Sequence, residues 1–126
     1  MHPEDLKYTS THEWVRVEEN LATVGITDHA QSELGDVVYV ELPQQGATLQ
    51  KDDLLGTIES IKTVSDLVAP VSGEVVEVND DLADTPERVN DSPYGTGWMV
   101  IIKLEDPSEL EDLLTSEQYE AFIEEQ

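Results

Sequence analysis

Apolar and polar residues alternate with a period of two over several short runs of this 126-residue chain. That spacing predicts strands with one buried face. "EWVRV" sets Val15 and Val17 on one side, and "LATVGI" sets Ala22, Val24 and Ile26 together. "DVVYVEL" offers Val38, Val40 and Leu42, and "EVVEV" offers Val76 and Val78. "GWMVIIKL" offers Trp98, Val100, Ile102 and Leu104. Gly, Pro, Asn and Asp separate the runs, as turns require. The chain is predicted to be mainly β.

Two segments break the period. "TDHAQSELG" predicts a two-turn helix capped by Thr27 and stopped at Gly35. "DPSELEDLLTSEQYEAFIEE" opens with an Asp and a Pro suited to a helix start, with Leu110, Leu113 and Leu114 as one apolar stripe. Ser116 is expected to start a second helix, with Tyr119, Phe122 and Ile123 facing inward. One domain over residues 1–126 follows from the length, with a hairpin core over about 20–105 and a C-terminal helical region over about 107–125.

A weak internal echo crosses the middle. Pro43-Gln44-Gln45-Gly46 precedes Asp52-Asp53-Leu54, and Pro70-Val71-Ser72-Gly73 precedes Asp80-Asp81-Leu82. Two similar strand-turn-strand halves can pack about an approximate two-fold axis. Their link is then a tight hairpin, and Lys62 falls within it. Gly35, Gly46 and Gly73 read as turn glycines with positive φ.

Composition narrows the function. The net charge of -23 disfavours nucleic acid and anionic membranes and favours basic protein partners. A salt-rich source is a second reading of the same charge, since Lys is scarce and Asp and Glu abundant. No apolar run reaches the roughly 20 residues of a membrane span. The start "MHPEDLKYTS" lacks the basic and apolar blocks of a signal peptide, so a cytoplasmic protein is expected. Cys is absent, which excludes a disulfide framework, a thiol nucleophile and a thiolate metal site. His2, His12 and His29 lie apart and suggest neither a metal site nor a triad. No nucleophile, base and orienting group stand out together, so a non-catalytic protein is expected. No long apolar stripe remains beyond the core, so a monomer is expected.

Lys62 is one of only four lysines beside 29 acidic residues. A lysine at a hairpin tip projects into water. An exposed amine suits modification by another enzyme better than Schiff-base chemistry, which needs burial or a cationic neighbour.

The residues around it sharpen this. In "ESIKTVSDLVAPVSGEVVEVN", Gly73 follows Lys62 by eleven positions. The stretch resembles a lipoyl-attachment signature, a tip lysine followed by a Pro-x-x-Gly turn and a Val-rich strand ending in Asn. Biotin carriers set methionines beside the lysine, whereas Ile61 and Thr63 stand here. Glu59-Ser60-Ile61-Lys62, "HEWVRV", "VGITDHAQSELGDVVYVELPQQG", "VNDSPYGTGWMV" and the acidic C-terminal helices resemble the H proteins of the glycine cleavage system. The resemblance runs from Lys7 to about Glu125.

That resemblance implies a lipoyl/biotinyl-like barrel-sandwich hybrid with lipoic acid in amide linkage at Lys62. Glu59, Ser60, Ile61 and Gly73 belong to the attachment signature. The implied partners are a glycine decarboxylase, an aminomethyltransferase, a dihydrolipoyl dehydrogenase and a lipoate-attaching enzyme. The carrier shuttles an aminomethyl group and reducing equivalents among them on an arm of about 14 Å. The loaded arm is expected to fold into a cleft on the carrier, with Thr11, Glu13 and Asp66 as candidate docking residues. Burying about four methylenes returns roughly 3 kcal/mol, and restricting the arm's rotors costs a similar amount. A carboxylate acceptor would tip that balance. "SPYGTGW" reads as turn chemistry or as cover for the cleft, and Trp98 as core. A lipoate-relay protein, a biotin carboxyl carrier and an independent hydrolase remain the competing readings.

Overall fold

The structure, a computed structural model, describes residues 3–125. His2 lies outside them. In chain order the strands are β1 (Lys7–Tyr8), β2 (Glu13–Glu18), β3 (Leu21–Ile26), β4 (Val37–Glu41), β5 (Thr48–Leu49), β6 (Leu54–Ser60), β7 (Val64–Val68), β8 (Gly73–Val78) and β9 (Val100–Leu104). They form two antiparallel sheets, of order β1-β2-β3-β9-β8-β5 and β4-β6-β7. The helices are α1 (Asp28–Leu34), α2 (Asp81–Asp84), α3 (Arg88–Asp91) and α4 (Ser116–Glu124), with a 3-10 helix at Pro107–Asp112. No helix among the described residues is long and apolar enough to cross a membrane.

The main core joins the inner faces of both sheets. Val15, Ala22, Val24, Val40, Ile58 and Val75 are among its buried members. A second cluster lies on the other face of β2, where Leu6, Tyr8, Trp14 and Tyr119 are buried together. The start of β2 is therefore covered on both sides. Trp14 and Val15 are each 0 % exposed, while Val17, on Val15's face but one pair from the β2–β3 turn, is exposed at 36 %. Alternation had placed Val17 inside. The face is right, but the strand end near the turn runs past the edge of the core; on the opposite face the helical region buries Trp14, which alternation alone leaves wet.

Two β-bulges account for the other departures. One lies between Val37 and Tyr39 in β4. It turns Val38 outward and puts Val37 in the core with Val40. The other, between Val75 and Glu77, makes Val75 the core residue of β8 and leaves Val76 and Val78 partly buried. A bulge inserts one residue and so reverses the side-chain phase beyond it. The β3 and β9 assignments hold: Ala22, Val24, Ile26, Val100, Ile102 and Leu104 are all buried. Trp98 is only partly buried and packs on the second cluster, as does Tyr94. Indole Nε1 of Trp14 donates to Pro93 O at 2.9 Å. The "SPYGTGW" segment thus packs over Trp14.

Thr27 caps α1, its side chain accepting from Ala30 N–H, and Gly35 stops it at φ 80°. Gly46 also has positive φ, at 95°. The first C-terminal helix is 3-10 rather than α, with Asp106 as its cap. Its leucines divide between layers, Leu110 and Leu113 on the main core and Leu114 on the second cluster. Thr115 caps α4 through a reciprocal capping box with Gln118, which satisfies two orphan backbone donors. Tyr119, Phe122 and Ile123 face inward as expected. The echo diverges structurally: Leu54 opens strand β6, whereas Asp81 opens helix α2.

Candidate functional site

Strands β6 and β7 form the hairpin that carries Lys62, with Glu59 opposite Val64 at its end. The turn is fastened from within. Ser60 N–H donates to Thr63 O at 2.8 Å, and the buried Ser60 hydroxyl accepts from the N–H groups of Lys62 and Thr63 at 3.1 Å each. Ile61 N–H donates to Asp36 O at 3.0 Å, tying the tip to the entry of β4. Ser60 is thus a turn-builder, 5 % exposed, while Glu59, Ile61, Lys62 and Thr63 stand exposed. The Lys62 side chain leaves along the end of α1, where a Cβ added to Gly35 would lie 3.1 Å from its Cε. It makes no ion pair among the described residues. Gly73 lies elsewhere, at the start of β8 opposite Leu49 and Leu104 in the larger sheet.

Two cavities flank Glu13. One, of about 220 Å³, is lined by Thr11, His12, Glu13, Ile26, His29, Ala30, Glu33, Leu34, Ile58, Ser65, Asp66 and Leu67. It lies between α1 and the β6–β7 hairpin, and Leu34 on its wall adjoins the glycine that the Lys62 chain crosses. The other, of about 290 Å³, shares Thr11 and Glu13 and runs past Val68 to the Lys51–Asp112 ion pair at 3.1 Å. All three residues singled out as docking candidates, Thr11, Glu13 and Asp66, therefore meet at one groove. "SPYGTGW" lines neither cavity.

Glu13 is 1 % exposed, not a solvated strand residue. It shares a face of β2 with Val15 and sits where β7 approaches the larger sheet. Its Oε1 accepts from the hydroxyls of Thr9 at 2.6 Å and Thr11 at 2.5 Å. Its Oε2 accepts the Val68 N–H at 3.3 Å and keeps lone-pair capacity. Burial raises the carboxyl pKa above its ordinary range, against the lowering effect of the bonds from Thr11, Thr9 and Val68. A cation brought beside it favours the ionised form.

The two described histidines, far apart in sequence, come together. The rings of His12 and His29 lie 4.9 Å apart between centroids. Burial, then the neighbouring His29, lowers the His12 pKa, while Glu33 acts in the opposite sense. His12 adopts φ 71° and its Nδ1 lies 2.7 Å from the Tyr119 hydroxyl, which lies 2.7 Å from Thr27 Oγ1. The C-terminal helix thereby meets the cap of α1 and the turn that presents Glu13. Thr9 and Tyr119 escaped the sequence reading. Thr9 stands four positions before Glu13 with no repeat to mark it, and Tyr119 was legible only as an inward aromatic.

A pH prediction follows from Glu13. Its folded-state pKa is raised, so the folded protein holds this proton to higher pH than the unfolded chain. Stability associated with the group is greatest below the unfolded value of about 4.3 and is lost as pH rises through the folded value. Thermal melts of wild type and Glu13→Gln from acid to neutral pH should show wild type losing ground to the variant as pH increases. A constant difference would contradict the burial argument.

The chain's similarities agree with this geometry. A family model described as "Glycine cleavage H-protein" matches residues 6–126. A glycine cleavage system H protein of Oceanobacillus iheyensis is 59% identical over 121 residues, covering 96% of each chain. One from Geobacillus kaustophilus is 58% identical over 123 residues, covering 98% of this chain and 97% of the other. The crystal structure of a glycine cleavage system H protein from Mycobacterium marinum superposes with a TM-score of 0.88 at 39% identity, covering 94% of this chain and 96% of that one. The mainly β barrel-sandwich expected from the sequence is the observed fold. The chain belongs to the glycine cleavage H-protein family.

Proposed function

We propose that this chain is the lipoylated carrier of a glycine cleavage system, with Lys62 as the attachment site. The observation that carries the reading is an exposed lysine, free of ion pairs among the described residues, on a hydrogen-bonded hairpin turn beside a groove that ends on a buried carboxylate. These residues fit an amide-linked acyl arm. The amine is accessible, Ser60 fixes the turn behind it, and apolar Leu34, Ile58 and Leu67 offer the arm a wall. Lipoate bound there supplies a dithiol that carries the aminomethyl group and reducing equivalents.

The chain's own residues guide and shield. Thr9 and Thr11 orient the Glu13 carboxylate by occupying Oε1, leaving Oε2 to accept from a cationic amine. Asp66 adds a second carboxylate at the groove. The apolar wall excludes water from cargo held there. The dock must stay shallow, because each partner has to withdraw the arm. The chain itself is a non-catalytic single-domain monomer working in the cytoplasm. Its chemistry occurs on a glycine decarboxylase, an aminomethyltransferase and a dihydrolipoyl dehydrogenase, after a lipoate-attaching enzyme has acted.

Two measurements test this. Treatment with a lipoate ligase, ATP and lipoate should add one lipoyl group, mapped by peptide mass spectrometry to Lys62 and not to Lys7, Lys51 or Lys103; labelling elsewhere would refute the assignment. Glu13→Gln should shorten the lifetime of the aminomethyl cargo in water, and the gap from wild type should widen as pH rises and wild-type Glu13 ionises. Equal lifetimes at every pH would remove Glu13 from the dock.

A further inference from the structure

Seven large hydrophobic residues are exposed among the described ones, and four of them gather at the Lys62 end of the smaller sheet. They are Val38 at 49 %, Tyr39 at 51 %, Ile61 at 68 % and Val64 at 62 %. Strand register explains their meeting. Tyr39 pairs with Glu59, and Glu59 with Val64, so the three side chains form one row across the outer face. Strands lie about 4.8 Å apart, which puts Tyr39 and Val64 within about 10 Å of each other. Ile61 extends the row at the turn, through its bond to Asp36 O. Val38 joins because the β4 bulge turns it out of the core. Simple alternation would bury Val38, so the bulge leaves apolar surface in water beside the one lysine the function needs. Glu59 stands inside the row, between Tyr39 and Val64, and the exposed acids Asp36, Glu41 and Asp66 lie on the same strands and turn around it.

We propose that this Val38–Tyr39–Ile61–Val64 patch is the surface on which the enzyme that acylates Lys62 docks. The inference rests on the carrier reading above. Geometry selects this partner from the others. An acylating enzyme must bring its reacting atom to Nζ itself, so its surface has to close over Ile61 and the neighbouring row. Partners that act at the end of a roughly 14 Å arm have no such need. In the step concerned, Nζ attacks the acyl carbon of an activated lipoyl group. An amide bond forms, the bond to the activating group breaks and its electron pair leaves with that group, and the ammonium sheds two protons. The occupant's chemistry follows from the patch: an apolar contact with a Lys or Arg set within it for Glu59 and others at its rim, complementary to the surrounding acids.

The test uses the full-length chain with Tyr39→Thr and Val64→Thr combined, both β-compatible changes on a solvent-facing row. With a lipoate ligase, ATP and free lipoate, intact mass spectrometry follows the rate of acylation. The double variant should lose tenfold or more in kcat/KM, with an unchanged melting temperature, and wild-type acylation should slow as salt rises. Once acylated by prolonged incubation, the variant should be reduced by dihydrolipoyl dehydrogenase and NADH at the wild-type rate. A wild-type acylation rate in the variant overturns the proposal. So does an equal loss in both reactions, which would make the patch a general partner surface. If wild type itself takes up no lipoate at Lys62, the carrier reading fails and this inference with it. If the double variant melts early, Val38→Thr alone serves in its place, with the same readings.

Discussion

Lys62→Arg is expected to abolish lipoate attachment and with it all glycine cleavage in a system reconstituted from purified partners. The substitution keeps the charge and nearly the length of the side chain, so nothing in the fold should change. The turn is made by Ser60, whose hydroxyl and backbone bind the N–H groups and carbonyl of the tip and not the Lys62 side chain. A guanidinium does not deprotonate in proteins and its delocalised nitrogens are poor nucleophiles. The expected result is an unchanged melting temperature, no mass increase with ligase, ATP and lipoate, and carbon dioxide release at the background rate. Activity retained by the arginine variant would end the carrier reading, because no second lysine stands on that turn.

A large effect on stability is expected at Gly73. Its Cα faces the neighbouring strand so closely that an added Cβ would lie 2.0 Å from Lys103 O and 2.7 Å from Ile102 Cγ2. The obstruction is mostly backbone, so no rotamer change relieves it, and β8 and β9 must separate where they pair. Gly73 also has the positive φ expected of it, at 158°, a value that residues with a side chain rarely adopt, so backbone strain adds to the close approach. Overpacking of a tight interior site costs about 3 kcal/mol at the upper end of its usual range, which for a chain of this size lowers Tm by roughly 10 °C. Gly73→Ala should therefore melt well below wild type while Lys62 on the remaining folded protein is still acylated. A melting point within two degrees or so of wild type would show that the strands yield easily.

These two positions belong to one sequence signature and do different work. Lys62 presents an amine, and Gly73 lets two strands touch. The linear pattern recorded both and gave no means of separating them. The alternating runs were read correctly where a strand has one wet face and unbroken pleat, as in β3 and β9. They failed at Val38 and Val76, where a bulge changes which side is dry, and at Val17, where the strand end near the β2–β3 turn runs past the core. The helix caps at Thr27 and Gly35 were readable because capping is a contact within a few residues. The short α2 and α3 turns were not expected, since neither segment is long enough to show a helical period.

Residue order alone determined that the chain folds as sheet, that its C-terminal region is helical, and that one lysine sits at a hairpin turn. Those features depend on neighbours close along the chain. Only tertiary structure decided that Glu13 is buried, that His12 meets His29 and Tyr119, and that exposed apolar residues collect beside Lys62. Such arrangements depend on which surfaces the two sheets and the last helix press together, and burial of that kind is set by contacts between distant residues, such as His12 and Tyr119, 107 positions apart.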